Sequence, residues 1–359
     1  MSARHSAAAR AGRYSRAGRR WARLVAGRVR EPGVRVFYGH DRVPDLDEPA
    51  AGGTSKFQKL AARFPNSPSD FSLLYLGSSS LPRDLRQLLW LARRRACPVV
   101  LNQDGVGYPG WAGPRTVEVN RPLRHALRAA DHVLYQSEYC RRSADVFLGP
   151  TTGSSEVLYN AVDVERFQPS AAPSADGPVL LLGGDQTQSY RLELALRTLA
   201  ALVQAEPGAR LVVAGRLVTD PNALLDELGI RDRVELVGRY SQAEAPALYG
   251  RAHVLLHTKV NDPCPNVVLE AMACGLPVVY AASGGTVELV GDEAGVGVPH
   301  PDGFDRDEPP PAEAMAEAVV TVLAGLDRYR EAARRRAVER FPLEPWLEHH
   351  AQLFETLVS

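Results

Sequence analysis

Beyond Val34, short apolar runs alternate with amphipathic stretches of helical period almost to the end of the chain, and few architectures satisfy that rhythm. VRVFYG, FSLLYLG, PVVLNQ, HVLYQS and EVLYNA read as strands, with helices expected around 55–64, 84–96, 121–130 and 138–148. Strands this apolar need cover on both faces, which a parallel sheet with crossover helices provides. A polar, proline-bearing stretch, residues 168–177, interrupts the series as a linker would. A second series follows: PVLLLGG, ARLVVAG, VELVG, HVLLHT, PVVYAA and GVGVP, with helices expected notably at 190–205 and 243–250. The expected fold is α/β, two facing Rossmann-like doubly wound parallel-sheet domains, with ligands in the cleft beyond the carboxyl ends of the strands.

At 359 residues the chain is too long for one core. The expected divisions are a basic arm (1–33), an N-terminal domain (34–168), a C-terminal domain (169–340) and a terminal helix (341–359). Formal charge is zero, yet residues 1–30 hold nine arginines and no acid, so the remainder is acidic. Tyr14, Ala17, Trp21, Leu24 and Val29 fall near one side of a helix in this arm, a pattern suited to peripheral contact with an anionic membrane. A disordered tail, a start assigned too early, or an arm docked on the acidic body accounts for the same residues. Nothing resembling a base-reading surface accompanies the arginines, so nucleic acid is not an expected partner. No stretch is apolar enough to cross a bilayer and no secretory leader is evident, which places the expected protein in the cytoplasm, with any membrane contact at the inner face. Cys97, Cys140, Cys264 and Cys274 lack metal or disulfide spacing and read as packing residues.

The most informative segment is 257–285, HTKVNDPCPNVVLEAMACGLPVVYAASGG. A strand (VLLHT) leads through a proline-rich loop into a short helix that ends at Gly275 and Pro277, before a second strand (PVVYA). Such a unit aims the backbone N–H groups of Asn266, Val267 and Val268 at an anion. Asp262 and Glu270 flank that position, and carboxylates there suit the hydroxyls of a ribose or hexose. Phosphate between two polyols describes a nucleotide sugar. The rival reading makes Asp262 a turn residue and Glu270 a solvated helix carboxylate.

This segment resembles the donor signature of the retaining glycosyltransferases of family four, GT-B enzymes with an E-x7-E motif, here with Asp262 in the first position. The resemblance implies that Glu270 holds the ribose, that Asp262 lies near the donor hexose, and that the Val267 and Val268 amides meet the diphosphate. It implies a glycine-rich loop at Gly52 and Gly53, with residues 54–56 facing the cleft, and a terminal helix returning to the N-terminal domain through Trp346 and Phe354. The family's cation pair after the first strand of the second domain is reduced. Gly183-Gly184 is followed by Asp185-Gln186-Thr187-Gln188 and then Arg191, leaving Lys259 or Arg216 as substitutes and a solvated helix face as the rival place for Arg191. Where many relatives place a histidine, this chain reads Asn102-Gln103-Asp104-Gly105. Asp104 could then orient an acceptor hydroxyl or accept its proton, and Tyr108 and Trp111 offer flat faces for a sugar; a turn with aromatics packed beneath is the alternative. Tyr159-Asn160-Ala161-Val162-Asp163 resembles a structural interdomain segment. The D-x-D triplets at 45–47 and 305–307 lie in proline-rich loops, so neither a metal nor a cofactor is expected.

The activity implied is transfer of a hexose from a UDP- or GDP-sugar to a hydroxyl of a glycan or lipid-linked acceptor, as in polysaccharide biosynthesis. A catalytically silent nucleotide-sugar-binding protein and a sugar-nucleotide epimerase are the alternatives.

Overall fold

The computed structural model describes residues 18–27, 33–45, 48, 53–170 and 177–359. Gly52, Tyr14, Ala17, Val29, Leu46, Asp47 and most of the expected linker lie outside them. Two parallel sheets organise the chain. The first holds β1 (Val36–Phe37), β2 (Leu73–Gly77), β3 (Val99–Gln103), β4 (His132–Tyr135) and β5 (Ser154–Val157), in sequence order. The second holds β6 (Val179–Leu182), β7 (Arg210–Ala214), β8 (Val234–Gly238), β9 (Val254–His257), β10 (Val278–Ala281) and β11 (Gly295–Val298), in the order β11-β10-β9-β6-β7-β8. Every pairing is parallel.

The central strands β2, β3, β4, β6, β9 and β10 are buried along their whole length, the outcome their unbroken apolar runs require. β5 corrects the sequence reading: pairing begins at Ser154, and Leu158–Ala161 leave the sheet, because Ser154–Val157 is an edge with exposed side chains. In the second sheet the strand order reverses between β6 and β9, so the loops leaving their carboxyl ends diverge and open a crevice. Gly183-Gly184 follows β6 and the segment 258–265 follows β9. The segment singled out by its carboxylates therefore sits at the switch point.

The terminal helix Leu343–Val358 packs Trp346, Leu347 and Phe354 onto a face of the first sheet formed by Val36, Tyr38 and Tyr75. Phe354 meets Phe64 and Tyr75 edge-on at 5.1 and 5.7 Å. His350, between Tyr75 and Trp346, is pushed down to about 4 by burial. Residues 18–26 form a helix whose Leu24 is buried against Phe71, Leu85 and Leu88, while Arg20 pairs with Asp41 and Asp84. The inward side of this helix is thus packed on the body of the protein, the docked arrangement among the alternatives for the arm, over the described residues 18–26. No helix among the described residues is long and apolar enough to cross a membrane.

Candidate active site

β9 ends at His257, and the chain turns through 258–265 into the helix Asn266–Ala273. Pro265 occupies the cap position with extended backbone and no side-chain cap, so the first amides of this helix are offered to the cleft rather than to the protein. Val268 departs from the expectation: its N–H donates to the Pro265 carbonyl at 3.2 Å, which leaves Asn266 and Val267 as the open amides of the turn. The Asn266 side chain reaches the other sheet's domain, its Nδ2 donating to Ser55 Oγ at 3.1 Å.

Glu270 lies one helical turn further on. NVVLEAMA is apolar around its circumference, so the helix is buried on all sides and takes Glu270 in with it, at 3% exposure. Tyr249 Oη donates to Oε2 at 2.8 Å and Gln242 Nε2 to Oε1 at 3.1 Å. Burial pushes its carboxyl up, opposed by Lys59 and by these two hydrogen bonds. The reading of Glu270 as a solvated carboxylate does not survive.

Asp262 is buried as well. Lys59 and Glu270 face one end of the helix start; Lys259 and Asp262 face the other, with Lys259 Nζ donating to Asp262 Oδ1 at 3.0 Å. His257 Nε2 lies 3.2 Å from Asp262 Oδ2 without hydrogen-bond alignment. Burial alone would raise the Asp262 carboxyl, but Lys259, His257 and Arg191 outweigh it and hold it well below the usual carboxylate range. Asn261 adopts φ of 54°, and Gly285 N donates to the Asp262 carbonyl at 2.9 Å. A Cβ on Gly284 would come within 2.5 Å of that carbonyl, which is why the Gly-Gly pair closes this segment.

Arg191 is not on a solvated face. It is 5% exposed, its Nη1 donates to the Asp185 carbonyl at 2.7 Å, and burial lowers its pKa against the pull of Asp262. Lys259 is committed to Asp262, and Arg216 is a half-exposed partner of Asp185. Gln186 donates to the carbonyls of Gly183 and Gly184. Gly184, at φ of 81°, brings the backbone beside Val267, where a Cβ would sit 3.3 Å from the valine methyl.

Across the cleft, Gly53 starts the helix Gly53–Ala61, where a Cβ would press within 2.7 Å of Ser80 Oγ. Asp104 is corrected from proton acceptor to anchor. Its two oxygens accept from Ser78 Oγ, Ser79 Oγ, Gly105 N at 2.8 Å and Lys56 Nζ at 3.4 Å, which fills its acceptor positions. Burial opposes this set and loses, so the carboxyl stays lowered. The Tyr108 ring packs against Phe304 at 5.7 Å, and its hydroxyl donates to Asp307 at 2.9 Å. Trp111 is half exposed. The 305–307 triplet lies in its proline-bearing loop, where Asp307 joins the two domains by accepting from Tyr108 and Gln188. No group of three or more potential metal ligands occurs among the described residues.

His257, Tyr249 and Gln242 escaped the sequence reading, and Asp307 entered it only as part of a D-x-D triplet set aside as a metal site. His257 had a signal, as the last residue of a strand entering the key segment. Tyr249 and Gln242 are brought in by a distant loop and helix that no local pattern announces. Three buried polar atoms have no aligned partner and border one cleft: Arg191 Nε, His257 Nε2 and Asn266 Oδ1. Native proteins rarely leave such atoms unsatisfied away from a ligand site.

Residues 163–338 match the family model described as Glycosyl transferases group 1. This stretch is a group 1 glycosyltransferase domain. It is similar to the D-inositol 3-phosphate glycosyltransferase of Saccharomonospora viridis, at 34% identity over 48% of this chain and 44% of that protein. It is also similar to the phosphatidylinositol N-acetylglucosaminyltransferase gpi3 subunit of Schizosaccharomyces pombe, at 24% identity over 50% of this chain and 40% of that protein. The chain thus spans less than half the length of these curated relatives. Among solved structures, HepE of Anabaena in complex with UDP superimposes with a TM-score of 0.64 over 80% of this chain and 79% of that one, at 20% identity. That likeness places this chain in the two-domain fold of the glycosyltransferases.

Proposed function

We propose that the chain transfers a hexose from a UDP- or GDP-sugar to a hydroxyl of a glycan or lipid-linked acceptor, with retention at the anomeric carbon. The uncapped start of the helix Asn266–Ala273 at the switch point of the second sheet, with buried Asp262 before it and buried Glu270 within it, carries the reading. In it, Glu270 takes the ribose hydroxyls, the Asn266 and Val267 amides with Arg191 Nε take the diphosphate, and Asp262 takes a hydroxyl of the hexose. The same Anabaena neighbour was solved with UDP-glucose, which supports a sugar nucleotide as the donor class.

The acceptor oxygen bonds to the anomeric carbon as the bond from that carbon to the diphosphate oxygen breaks. The electron pair leaves with the diphosphate, whose developing charge meets the helix amides and Arg191. The acceptor proton goes to the departing phosphate oxygen, because Asp104 and Asp262 are held ionised by their partners and are poor bases. A thermal-shift screen of nucleotide sugars followed by product analysis tests the assignment. Binding without turnover would make the chain a silent binder, and a changed donor without any acceptor would make it an epimerase. Peripheral contact with anionic lipid rests on the nine arginines of residues 1–30. Equal sedimentation of the full chain and of a chain lacking residues 1–30 with anionic vesicles at low salt would remove that part of the reading.

A further inference from the structure

The connection from β11 to the helix Ala312–Ala324, residues 299–311, is well beyond the roughly 2–6 residues usual in α/β units. Most of its residues are exposed, yet it is tied to both domains. Gly110 N donates to the Phe304 carbonyl at 2.8 Å, and the Phe304 ring sits among Tyr108, Tyr139 and Phe147 of the first domain at 5.7, 6.0 and 5.0 Å. On the other side Asn261 Nδ2 donates to the Gly303 carbonyl at 3.0 Å, tying the same strap to the donor loop. Gly110 is obligatory for this approach, since a Cβ there would meet the Arg306 backbone at 2.8 Å. The strap therefore closes the cleft between the Tyr108 turn and the loop that holds Asp262.

Asp307 is the strap's inward carboxylate. Tyr108 Oη donates to Oδ1 at 2.9 Å, and Gln188 Nε2, from the second domain, to Oδ2 at 3.2 Å. Asn261, on the donor loop, adds a third hydrogen bond to this carboxylate and Lys259 acts on it from a distance, which leaves one acceptor position open. A second, independent feature points the same way. Tyr139 is buried, its hydroxyl has no hydrogen-bond partner, and it lies within electrostatic reach of Asp262, Asp302 and Asp307. The unpartnered Tyr139 hydroxyl and the Asp307 carboxylate thus both lie near Phe304, where the strap meets the donor loop.

We propose that the strap is the acceptor-side wall of the site and selects an uncharged polyol over a phosphorylated one, with Asp307 as the residue that positions the acceptor hydroxyl. This rests on the donor assignment above. The lining hydroxyls, amide and carboxylate complement a polyol. The cations nearby are committed within the protein, Lys259 to Asp262 and Lys56 to Asp104, while the strap itself carries Asp302, Asp305, Asp307 and Glu308 against Arg306. A phosphate dianion would face these four carboxylates with Arg306 as the strap's one cation.

The test uses the full chain in two stages. Calorimetry with UDP and GDP establishes donor-site binding. Transfer from the most stabilising sugar nucleotide is then measured to glucose, mannose, myo-inositol and glycerol, each beside its monophosphate. At least one neutral polyol should be preferred over its phosphate by tenfold or more in kcat/KM. Asp307→Asn should reduce that preference at least tenfold, mainly through acceptor KM, with nucleotide affinity within twofold. Tyr108→Phe, which keeps the ring under Phe304, should raise acceptor KM in the same direction. Equal or better use of the phosphorylated acceptors, an unaltered preference in Asp307→Asn, or no transfer to any panel member while the nucleotide binds would overturn the proposal. Failure of both nucleotides to bind would instead sink the donor assignment, and this proposal with it.

Discussion

Replacing Glu270 offers the sharpest separation between a donor site and a merely buried acid. In the structure each carboxylate oxygen accepts one bond, from Tyr249 and Gln242, which leaves one lone pair on each for a ribose diol. Two charge-assisted hydrogen bonds of about 1.5 kcal/mol each amount to about 3 kcal/mol. Glu270→Ala should therefore weaken UDP or GDP binding about 100- to 200-fold. Glu270→Gln keeps one carbonyl acceptor, and with a neutral bond roughly half as strong it should lose about 40-fold. The alanine variant also leaves the buried Tyr249 hydroxyl unpaired, a cost of about 1–3 kcal/mol that relief of the desolvated carboxylate partly offsets. A melting temperature lowered by only a few degrees is expected. Isothermal titration on samples shown folded by circular dichroism makes the measurement. Nucleotide affinity within twofold of the unaltered protein in Glu270→Ala would refute the ribose role.

Arg191→Met should raise the nucleotide dissociation constant about 10- to 100-fold, since a charge-assisted contact to diphosphate is worth about 1.5–3 kcal/mol, and titration at two salt concentrations checks it. Asp262 is held below its unfolded value, so its contribution to stability is present above about pH 4 and fades as pH falls further. The melting-temperature gap between the unaltered protein and Asp262→Asn should accordingly narrow between pH 6 and about pH 3. Leu24→Ala should cost about 2–5 kcal/mol in urea unfolding if the helix at 18–26 belongs to the core, and no measurable change would show that it does not.

The two sheets were legible because unbroken apolar runs can be satisfied only inside a covered parallel sheet, and burial of β2, β3, β4, β6, β9 and β10 follows from composition alone. The segment from His257 to Gly285 was legible for a related reason: prolines, glycines and two spaced acids fix a local turn and helix start whatever surrounds them. Asp104 was misread and Tyr108 stayed undecided because their letters are the same whether the carboxylate is free or ringed by Ser78, Ser79 and Lys56, and whether the ring is open or under Phe304. Residues 302–307 looked like any acidic loop.

What the chain determined by itself is everything carried by interactions between near neighbours: strand and helix, the glycine positions, and the pair Asp262 and Glu270 about one helix start. What only the tertiary structure decided is which polar groups are already satisfied, because a hydrogen-bond partner is chosen by position in space and not by distance along the chain. Arg191 beside Asp262, Tyr249 on Glu270, and Asp307 between Tyr108 and Gln188 are pairings of that second kind.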